Sequence, residues 1–498
     1  MYWLGIDVGT GGTRALLVDE RGKVRHAVTA PHEEMRMERP LWAEQRPENW
    51  WDAAQQSIRG VLAQAAATGK DIGGIGLSGQ MHGLVLLDAS DRVIRPALIW
   101  CDQRSQAQVD AINQKVGKLT VLAAIANPVL TGFTLPKLLW VRDHEPELFA
   151  RARKMLLPKD YLRFQLTGEY ASDVSDASGT ALFDVLNRKW SYELAGKLEI
   201  DCSILPKVAE SSELTGRISQ GAAKVTGLAE GTPVVAGAGD QAASAIGNGI
   251  VEPRCVSCTL GTSGVVFAHM QAPAYDSAGR VHTFCHAVRG AWHVMGVTQG
   301  AGLSLQWFRN NLASGTSYDD LTKEAATSPP GADGLFWLPY LMGERTPHLD
   351  ASARGGWIGL TAKHTRADLI RALLEGISYS QKDCLDIVEE LSGPVESVRV
   401  SGGGARSAFW RQMLADVFGK RVAVLESQEG SAYGAALLAL VGTGAYATVQ
   451  EISRAAIQEI SSVSPQPHAM SAYAEGHRVY KSLYPALTGF YHSAKAPQ

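Results

Sequence analysis

The sequence lacks the signatures of several common classes of protein. Basic charge is not in excess, because 47 Lys and Arg are balanced by 50 Asp and Glu for a net charge of −3. This balance excludes a general nucleic-acid-binding protein. No Gly-x-x-x-x-Gly-Lys-Ser/Thr segment is present, so a P-loop nucleotide site is not expected. No basic segment followed by an apolar run precedes the first strand pattern, which favours a cytoplasmic location.

Long apolar runs are also absent. The stretch 430–450, which has no charged residue, has nearly the length of a membrane span, but Gly434, Gly442 and Gly444 interrupt it and alanine is frequent. We interpret it as a buried helix followed by a turn, and no membrane association is expected.

Cysteine is scarce, with six residues in 498. Cys255 and Cys258 have the spacing of a redox or zinc motif, but no second pair accompanies them, and residues three apart on a strand face opposite sides. His282, His286 and His293 flank apolar strand segments without partners at ligand spacing. Both groups are therefore interpreted as structural, in a protein from a reducing compartment.

A chain of this length exceeds one hydrophobic core, so two large domains are expected. Strand patterns alternate with helical patterns, which predicts an α/β protein. The pattern restarts near residue 250, and we expect an internal duplication of the fold with domains at 1–245 and 246–498. The aromatic segment 480–491 predicts a terminal helix, for which packing back onto the first domain is one alternative.

The segment Leu4–Asp19 has the pattern of a strand, a glycine-rich turn and a second strand. Backbone N–H groups in such a turn can cradle phosphate, and Asp7 at the end of the first strand can hold the accompanying Mg²⁺. A similar hairpin follows at Cys258–Phe267, with Gly261 and Thr262 in its turn. Two ordinary hairpins are the alternative, but one in each half of the chain suggests a nucleotide between two related domains.

Two longer patterns identify a family. Residues 132–144, Gly-Phe-Thr-Leu-Pro-Lys-Leu-Leu-Trp-Val-Arg-Asp-His, match the first signature of the carbohydrate kinases named for their Phe-Gly-Gly-Tyr motif. Residues 355–360, 368–369 and 372–375 match the second signature. The sequence resembles this FGGY family over residues 1–485. The resemblance implies two ribonuclease-H-like domains of the actin/hexokinase ATPase type, with ATP and a sugar in the cleft between them.

Five shorter motifs resemble the branch of the family that phosphorylates D-xylulose. They are Ser78–Gly83, Trp100–Arg104, Leu157–Tyr161, Ser175–Thr180 and Gly343–His348. Two places depart from the pattern. Asp102 lies between Cys101 and Gln103 instead of a small polar residue and a glycine, and Gln241 stands where an asparagine is expected. The resemblance implies ATP-dependent phosphorylation of D-xylulose to D-xylulose 5-phosphate.

By the same resemblance Asp240 is the catalytic base, which accepts the proton of the sugar's primary hydroxyl as that oxygen attacks the γ-phosphorus. The alternative role for Asp240 is a helix N-cap before Ala242. The segment Gly237-x-Gly239-x-x-Ala242 also fits a loose dinucleotide fingerprint. We reject it, because the chain returns to a strand by residue 255 and leaves no room for a crossover helix.

The remaining candidates form a nucleotide group and a sugar group. The nucleotide-binding candidates are Gly9, Thr10, Thr13, Arg14, Gly261, Thr262, Gln299, Gly300, Gly403, Gly404 and Ser407. Of these, Gly403, Gly404 and Ser407 match the family's adenosine pocket, where missing side chains let a base lie on the backbone. The sugar-binding candidates are Met81, His82, Trp100, Asp102, Asp240 and Gln241. Asp7 is both the second catalytic residue and the metal ligand.

Two other functions stay open. A related kinase could act on another ketopentose or a polyol, and a non-catalytic actin-like protein could sense a sugar or a nucleotide. The presence of both Asp7 and Asp240 argues against the sensor. The expected partners are ATP, Mg²⁺ and a small sugar, with a homodimer as an open alternative to a monomer.

Overall fold

The computed structural model of the chain describes residues 1–427 and 429–493. Its strands in the first half are β1 (Tyr2–Val8), β2 (Gly12–Val18), β3 (Val24–Pro31), β4 (Glu44–Gln45), β5 (Ile72–Gly79), β6 (Val85–Leu87), β7 (Ala97–Leu98), β8 (Lys154–Leu156), β9 (Ala171–Asp173), β10 (Phe183–Asp184), β11 (Lys189–Trp190), β12 (Lys207–Ala209), β13 (Leu214–Arg217), β14 (Pro233–Val235) and β15 (Ala238–Gly239). The helices there are α1 (Pro47–Gln64), α2 (Gln106–Val116), α3 (Lys118–Ile125), α4 (Thr134–His144), α5 (Pro146–Arg151), α6 (Pro158–Thr167), α7 (Val174–Ala177), α8 (Tyr192–Lys197), α9 (Gln220–Thr226) and α10 (Asp240–Gly247).

The second half continues the same alternation. Its strands are β16 (Cys255–Leu260), β17 (Gly264–Met270), β18 (His282–Cys285), β19 (Trp292–Thr298), β20 (Phe336–Leu338), β21 (Gly356–Ile358), β22 (Ser397–Ser401), β23 (Arg421–Leu425) and β24 (Glu459–Val463). Its helices are α11 (Ala301–Leu312), α12 (Tyr318–Ala325), α13 (Arg366–Ser392), α14 (Ala408–Phe418), α15 (Gly430–Gly442), α16 (Val449–Ala456) and α17 (Pro467–Ser493).

Two mixed sheets of seven strands each organise the fold. The N-terminal sheet has the order β13-β14-β5-β1-β2-β3, with β15 also paired to β5, and the C-terminal sheet has the order β18-β19-β17-β16-β22-β23-β24. In both sheets an antiparallel hairpin, β1–β2 or β16–β17, lies beside a parallel strand, β5 or β22. The α/β class and the repeated fold expected from the sequence are confirmed.

Local sequence explains where the longest element of the C-terminal half begins and ends. Helix α13 begins at a capping box, in which Thr365 and Asp368 exchange hydrogen bonds between side chain and backbone. These bonds satisfy N–H groups that a helix N-terminus otherwise leaves unpaired. The helix ends at Gly393, whose φ of 85° suits glycine. Its buried face forms much of the core beneath the C-terminal sheet.

The connection between the two halves differs from the sequence expectation. Helix α17 packs on α13 and α14, and Tyr473, Tyr480 and Tyr491 are buried in the C-terminal core. The alternative in which the last helix packs onto the first domain is therefore wrong. Instead α15 returns to the N-terminal sheet, where it contacts β1, β5 and α10. Residues of α15 and α16 pack with the N-terminal unit, and the division of the chain at residue 245 stays a prediction.

Close backbone contacts explain why α15 can return. A Cβ at Gly434 would lie 1.7 Å from the carbonyl oxygen of Ala243, and one at Gly5 would lie 1.9 Å from that of Ala432. Only glycine permits such approaches. None of the helices in the part of the chain that the structure describes is long and apolar enough to cross a lipid bilayer.

Candidate active site

The N-terminal hairpin places Asp7 and Arg14 side by side. The two residues are direct partners in the antiparallel register of β1 and β2, and Ser78 lies beside Asp7 on the parallel strand β5. The turn between them is closed by a 3.0 Å hydrogen bond from the Gly9 N–H to the Gly12 carbonyl. Arg14 also forms an ion pair with Glu429, just before α15. The hairpin is thus fixed to the helix that returns from the second half.

Thr10 and Thr13 have different environments. The Thr10 hydroxyl accepts a 2.9 Å hydrogen bond from Trp100 Nε1, so it lies at the turn beside an exposed indole. Thr13 is fully buried, and its hydroxyl is 2.8 Å from His32 Nε2. Thr13 pairs with Val8, so the pleat turns it to the face opposite Asp7. The structure gives its side chain an internal role and leaves only its backbone for phosphate.

Asp7 and Asp240 form an interacting pair of carboxyl groups. Burial raises the pKa of Asp7 to about 6, and the hydrogen bond to Ser78 and the charge of Arg14 oppose that shift. Burial, followed by the charge of Asp7, raises the pKa of Asp240 to about 7, against hydrogen bonds from Gln241. A pair of carboxyl groups in which the charge of one raises the pKa of the other is typical of sites that bind cations or transfer protons.

The pair also fits a divalent cation. Asp7 Oδ1 is cut off from solvent and has no hydrogen-bond partner. Carboxylate oxygens are ligands that Mg²⁺ prefers, with the remaining positions filled by water and phosphate oxygens. Within residues 1–427 and 429–493, no three His, Cys, Asp or Glu side chains are grouped to hold a metal ion by themselves. Asp7 would therefore hold Mg²⁺ together with a nucleotide rather than alone.

Asp240 is the first residue of α10, and Gly239 occupies the N-cap. The alternative role of Asp240 as the helix cap is therefore wrong, because no side chain caps this helix. The preceding Gly237 has a φ of 75°, and a Cβ there would lie 2.1 Å from the Leu77 carbonyl oxygen. This conformation suits glycine and lets the chain turn sharply beside β5. The Asp240 carboxyl group remains available for chemistry.

A buried ionic group holds the segment before Asp240. Lys159 Nζ lies 2.6 Å from Asp160 Oδ1 and 3.1 Å from Asp173 Oδ1, and all three side chains are fully buried. Asp173 accepts a 2.6 Å hydrogen bond from Ser175 Oγ, which accepts a 3.1 Å bond from the Gly239 N–H. The motifs 157–161 and 175–180 thus meet behind the site and position Asp240 through its backbone.

The turn at 80–83 contacts this segment from the other side. A Cβ at Gly239 would lie 2.9 Å from Met81 Cγ. His82 has a φ of 68°, and its Nδ1 donates to the Gly179 carbonyl oxygen at 2.7 Å. Burial lowers the pKa of His82 to about 3, so the ring is neutral and Nε2 is left as an acceptor. Lys137 Nζ donates to the His82 carbonyl oxygen at 3.0 Å and fixes the turn.

Trp100 and Asp102, two further candidates for sugar binding, lie in different environments. Trp100 is 45% exposed beside the Thr10 turn and presents a free face of its ring. Asp102 is fully buried, and its carboxylate accepts bonds from Arg104 and from the Ala43 N–H. Because these hydrogen bonds already occupy the carboxylate of Asp102, the side chain holds its own loop in place and does not serve as a sugar ligand.

The second hairpin lies against the start of α11. The Gly302 and Leu303 N–H groups donate to the Gly261 and Thr262 carbonyl oxygens at 2.7 and 3.1 Å. Gly300 is required by packing, because a Cβ there would lie 1.7 Å from the Pro339 carbonyl oxygen. The hairpin and the helix N-terminus therefore form one rigid unit.

Gln299 and Ser407 have contacts that sequence reasoning did not foresee. The Gln299 N–H donates to Glu344 Oε1 at 2.8 Å, which joins it to the 343–348 motif. Ser407 caps α14, with its Oγ accepting from the Trp410 N–H at 3.3 Å. Gly404 is required by packing against the Leu260 side chain, 2.9 Å from an added Cβ. These three positions shape the nucleotide loops rather than reach into them.

A polar cavity of about 310 Å³ lies between the two units, lined by Ser244, Asn248, Thr259, Ser401, Gly402, Gly403, Arg406 and Gly430. Sequence reasoning found only Gly403 among these. Ser244 lies one turn beyond Asp240 on α10, and Asn248 is the C-cap of that helix. This helical spacing could have pointed to both residues. The residues that line the cavity come from both halves of the chain.

Two mixed sheets, each with a glycine-turn hairpin beside a parallel strand, and a polar cavity lined from both halves are consistent with the ribonuclease-H-like ATPase fold. Comparison with known proteins is consistent with this class. Residues 2–247 match the model of the FGGY family of carbohydrate kinases, N-terminal domain, and residues 256–443 match its C-terminal domain. The chain belongs to the FGGY family of carbohydrate kinases, and the resemblance noted from its two signatures is confirmed.

Similar proteins span the whole chain. It is 39% identical over 483 residues to the xylulose kinase of Bacillus subtilis (strain 168), covering 97% of this chain and 96% of that protein. The structure of a xyloylose kinase from Brucella ovis has a TM-score of 0.93 and 38% identity, covering 98% of this chain and 100% of that one. That of a gluconate kinase from Lactobacillus acidophilus has a TM-score of 0.93 and 27% identity, covering 99% of each chain.

Proposed function

We propose that the protein transfers the γ-phosphoryl group of ATP to the primary hydroxyl of D-xylulose, giving D-xylulose 5-phosphate and ADP. The observation that carries the proposal is the convergence of Asp240, Asp7 and the 80–83 turn at one place. Similarity to xylulose kinases along nearly the full length supports D-xylulose as the acceptor. The neutral imidazole of His82, with Nε2 free to accept, suits a hydroxyl donor such as a sugar.

The chemistry then follows from the positions of the two carboxyl groups. Ionised Asp240 accepts the proton of the attacking hydroxyl while the new oxygen–phosphorus bond forms and the bond to the ADP oxygen breaks. Asp7 would hold Mg²⁺, which neutralises charge on the phosphate oxygens when it is bound. The turns at Gly9–Thr10 and Gly261–Thr262 flank the phosphates, and the Gly402–Gly403 edge of the cavity takes the adenosine.

The fold alone leaves a second acceptor, gluconate, open. The likeness to the gluconate kinase structure has the same TM-score, 0.93, as the likeness to the Brucella ovis structure. A polyhydroxy acid would meet the same hydrogen-bonding turn, so the fold does not discriminate between them. The cytoplasmic location and the choice between monomer and homodimer stay predictions of the sequence.

The deciding experiment is ADP release by the purified protein with Mg²⁺ and ATP across a panel of acceptors: D-xylulose, D- and L-ribulose, xylitol, L-fuculose, gluconate and glycerol. A dominant response to D-xylulose is expected. Dominance of another acceptor overturns the substrate and keeps the reaction. No ADP release with any acceptor, by protein that still binds ATP, overturns the kinase and favours the sensor. Asp240→Asn is the matched negative control, since an amide cannot accept the proton.

A further inference from the structure

Gln45 and Gln80 form a buried pair of side-chain amides beside the turn between β1 and β2. Gln80 Nε2 donates to Gln45 Oε1 at 3.0 Å, and Trp50 Nε1 of α1 donates to the same oxygen at 3.1 Å. The Gln80 backbone N–H donates to the Val8 carbonyl oxygen at the end of β1, at 2.8 Å. The chain's own helices and strands therefore hold both amides in place.

Each amide donates to a carbonyl group of the turn. Gln45 Nε2 donates to the Thr10 carbonyl oxygen at 2.7 Å, and Gln80 Nε2 makes a longer bond of 3.4 Å to the Gly9 carbonyl oxygen. His32 Nδ1 also lies 3.3 Å from the Thr10 carbonyl oxygen. The carbonyl groups of Gly9 and Thr10 are thus turned toward the buried pair.

These two carbonyl groups share their peptide units with the N–H groups of Thr10 and Gly11. Both peptide bonds are trans, so each N–H points away from the C=O of its own unit. Within residues 1–427 and 429–493, neither N–H has a hydrogen-bond acceptor, whereas the Gly9 N–H donates to the Gly12 carbonyl oxygen. Two successive N–H groups therefore face away from Gln45 and Gln80, an arrangement that suits an anion.

We propose that Gln45 and Gln80 are positioning residues, which hold the Gly9–Thr10 and Thr10–Gly11 peptides in the orientation that binds the phosphates of the nucleotide. The inference rests on the part of the proposed function that places the phosphates at this turn. Rotation of either peptide unit would turn a carbonyl oxygen toward the phosphates. Glycine on both sides of Thr10 permits such a rotation, so the bonds from the amides select the orientation.

Gln45 is the residue to substitute, because Gln80 also begins the 80–83 turn and its loss would disturb the sugar-binding candidates. Gln45→Met keeps the length of the side chain and removes the donor. The matched control is Gln108→Met, since Gln108 is a buried amide on α2 that donates to Asp143 of α4 at 3.0 Å. Binding of a non-hydrolysable ATP analogue and of adenosine is measured by calorimetry for each protein, without an acceptor.

For Gln45→Met we expect Kd for the ATP analogue to rise about 10- to 30-fold, because phosphate loses a correctly aimed donor. Kd for adenosine should change less than about threefold, since adenosine has no phosphate. Adenosine binding also reports that the variant is folded. Gln108→Met should leave both values at those of the wild type. Equal rises for the two ligands, or no rise for the ATP analogue, overturn the proposal.

Gln45→Glu separates the donor from the size of the side chain. The ionised carboxylate keeps an acceptor oxygen but cannot donate to the Thr10 carbonyl oxygen, whereas the protonated carboxyl group can. Burial raises the pKa of such a group, so affinity for the ATP analogue, relative to the wild type, should recover between about pH 8.5 and about pH 5.5. Gln45→Met should show the same deficit at both values. A Gln45→Glu deficit that stays constant overturns the proposed role of Gln45 as a donor.

The binding measurements distinguish this inference from the proposed kinase activity. A wild type that binds the ATP analogue but releases no ADP with any acceptor refutes the kinase, and the comparison of variants still decides the role of Gln45. Failure of the Gln45→Met prediction alone leaves the kinase standing. A wild type that binds no nucleotide overturns both.

Discussion

The Asp7–Asp240 pair predicts how kcat/KM falls as the pH is lowered. Burial raises the pKa of Asp240 to about 7 and that of Asp7 to about 6. Only the ionised form of Asp240 can accept a proton, so kcat/KM for the sugar should decline about tenfold per unit of pH just below about pH 7. At about pH 6 roughly a tenth of the limiting value remains, and below that the slope approaches two as Asp7 also protonates.

Substitution of Gln241 changes the pKa of Asp240 and so tests this prediction. Hydrogen bonds from its backbone and side chain lower the pKa of Asp240. Loss of the side-chain bond to a charged carboxylate is worth about 1.5 kcal/mol, or about one pH unit. Gln241→Met should therefore move the acid limb up by about one unit.

The profile is best measured as kcat/KM for the sugar between about pH 5 and about pH 9, with Mg-ATP held well below its KM so that the free enzyme is observed. A change in KM for the sugar alone would scale kcat/KM equally at every pH and would leave the pH at which the rate begins to fall unchanged. A wild-type profile that stays flat down to about pH 5.5, or a limb that Gln241→Met leaves in place, would refute the assignment of Asp240 as the base.

Three other substitutions, one of them with a matched control, test the fold and the site. Gly434→Ala should lower the free energy of unfolding by about 2 kcal/mol or more, because its Cβ would collide with a backbone carbonyl of α10 at 1.7 Å. Gly196→Ala in α8, with open space around it, should be neutral or stabilising in the same thermal denaturation. Ser175→Ala frees the Gly239 N–H and should lower kcat about tenfold while both KM values hold. Asp7→Asn should raise the Mg²⁺ concentration for half-maximal rate at least about tenfold in a metal titration.

Local pattern was enough to predict several parts of the molecule. The β1–β2 and β16–β17 hairpins follow from short apolar runs separated by glycine turns. The terminal helix follows from its aromatic spacing, and the small residues after Asp240 predict α10. These features depend on neighbours in sequence, and so they can be read from it.

The environments of Thr13 and Asp102 could not be predicted from local pattern, because they depend on strand register and on residues distant in the sequence. A hydroxyl in a phosphate-type turn is an ordinary ligand candidate, but the pairing of Thr13 with Val8 decides its face, and that register is set by the whole sheet. Asp102 is taken up by Arg104 and by a backbone group at Ala43, 59 residues away in the chain. No spacing rule within the sequence reports such a contact.

The return of α15 to the N-terminal sheet is the fold's main departure from two consecutive domains, and it has a mechanical consequence. The chain crosses between the units three times, after α10, before α15 and after α16. Asn248 at the first crossing and Gly430 at the second both line the cavity. The helix packs on α10, whose first residue is Asp240, and the Glu429–Arg14 ion pair connects its start to the phosphate hairpin. A ligand in the cavity therefore touches both crossings, so its binding and the relative motion of the units act on the same hinge. Asp240 and the Asp7 hairpin both belong to the unit that α15 contacts, so we expect them to keep their geometry during any closure of the second unit.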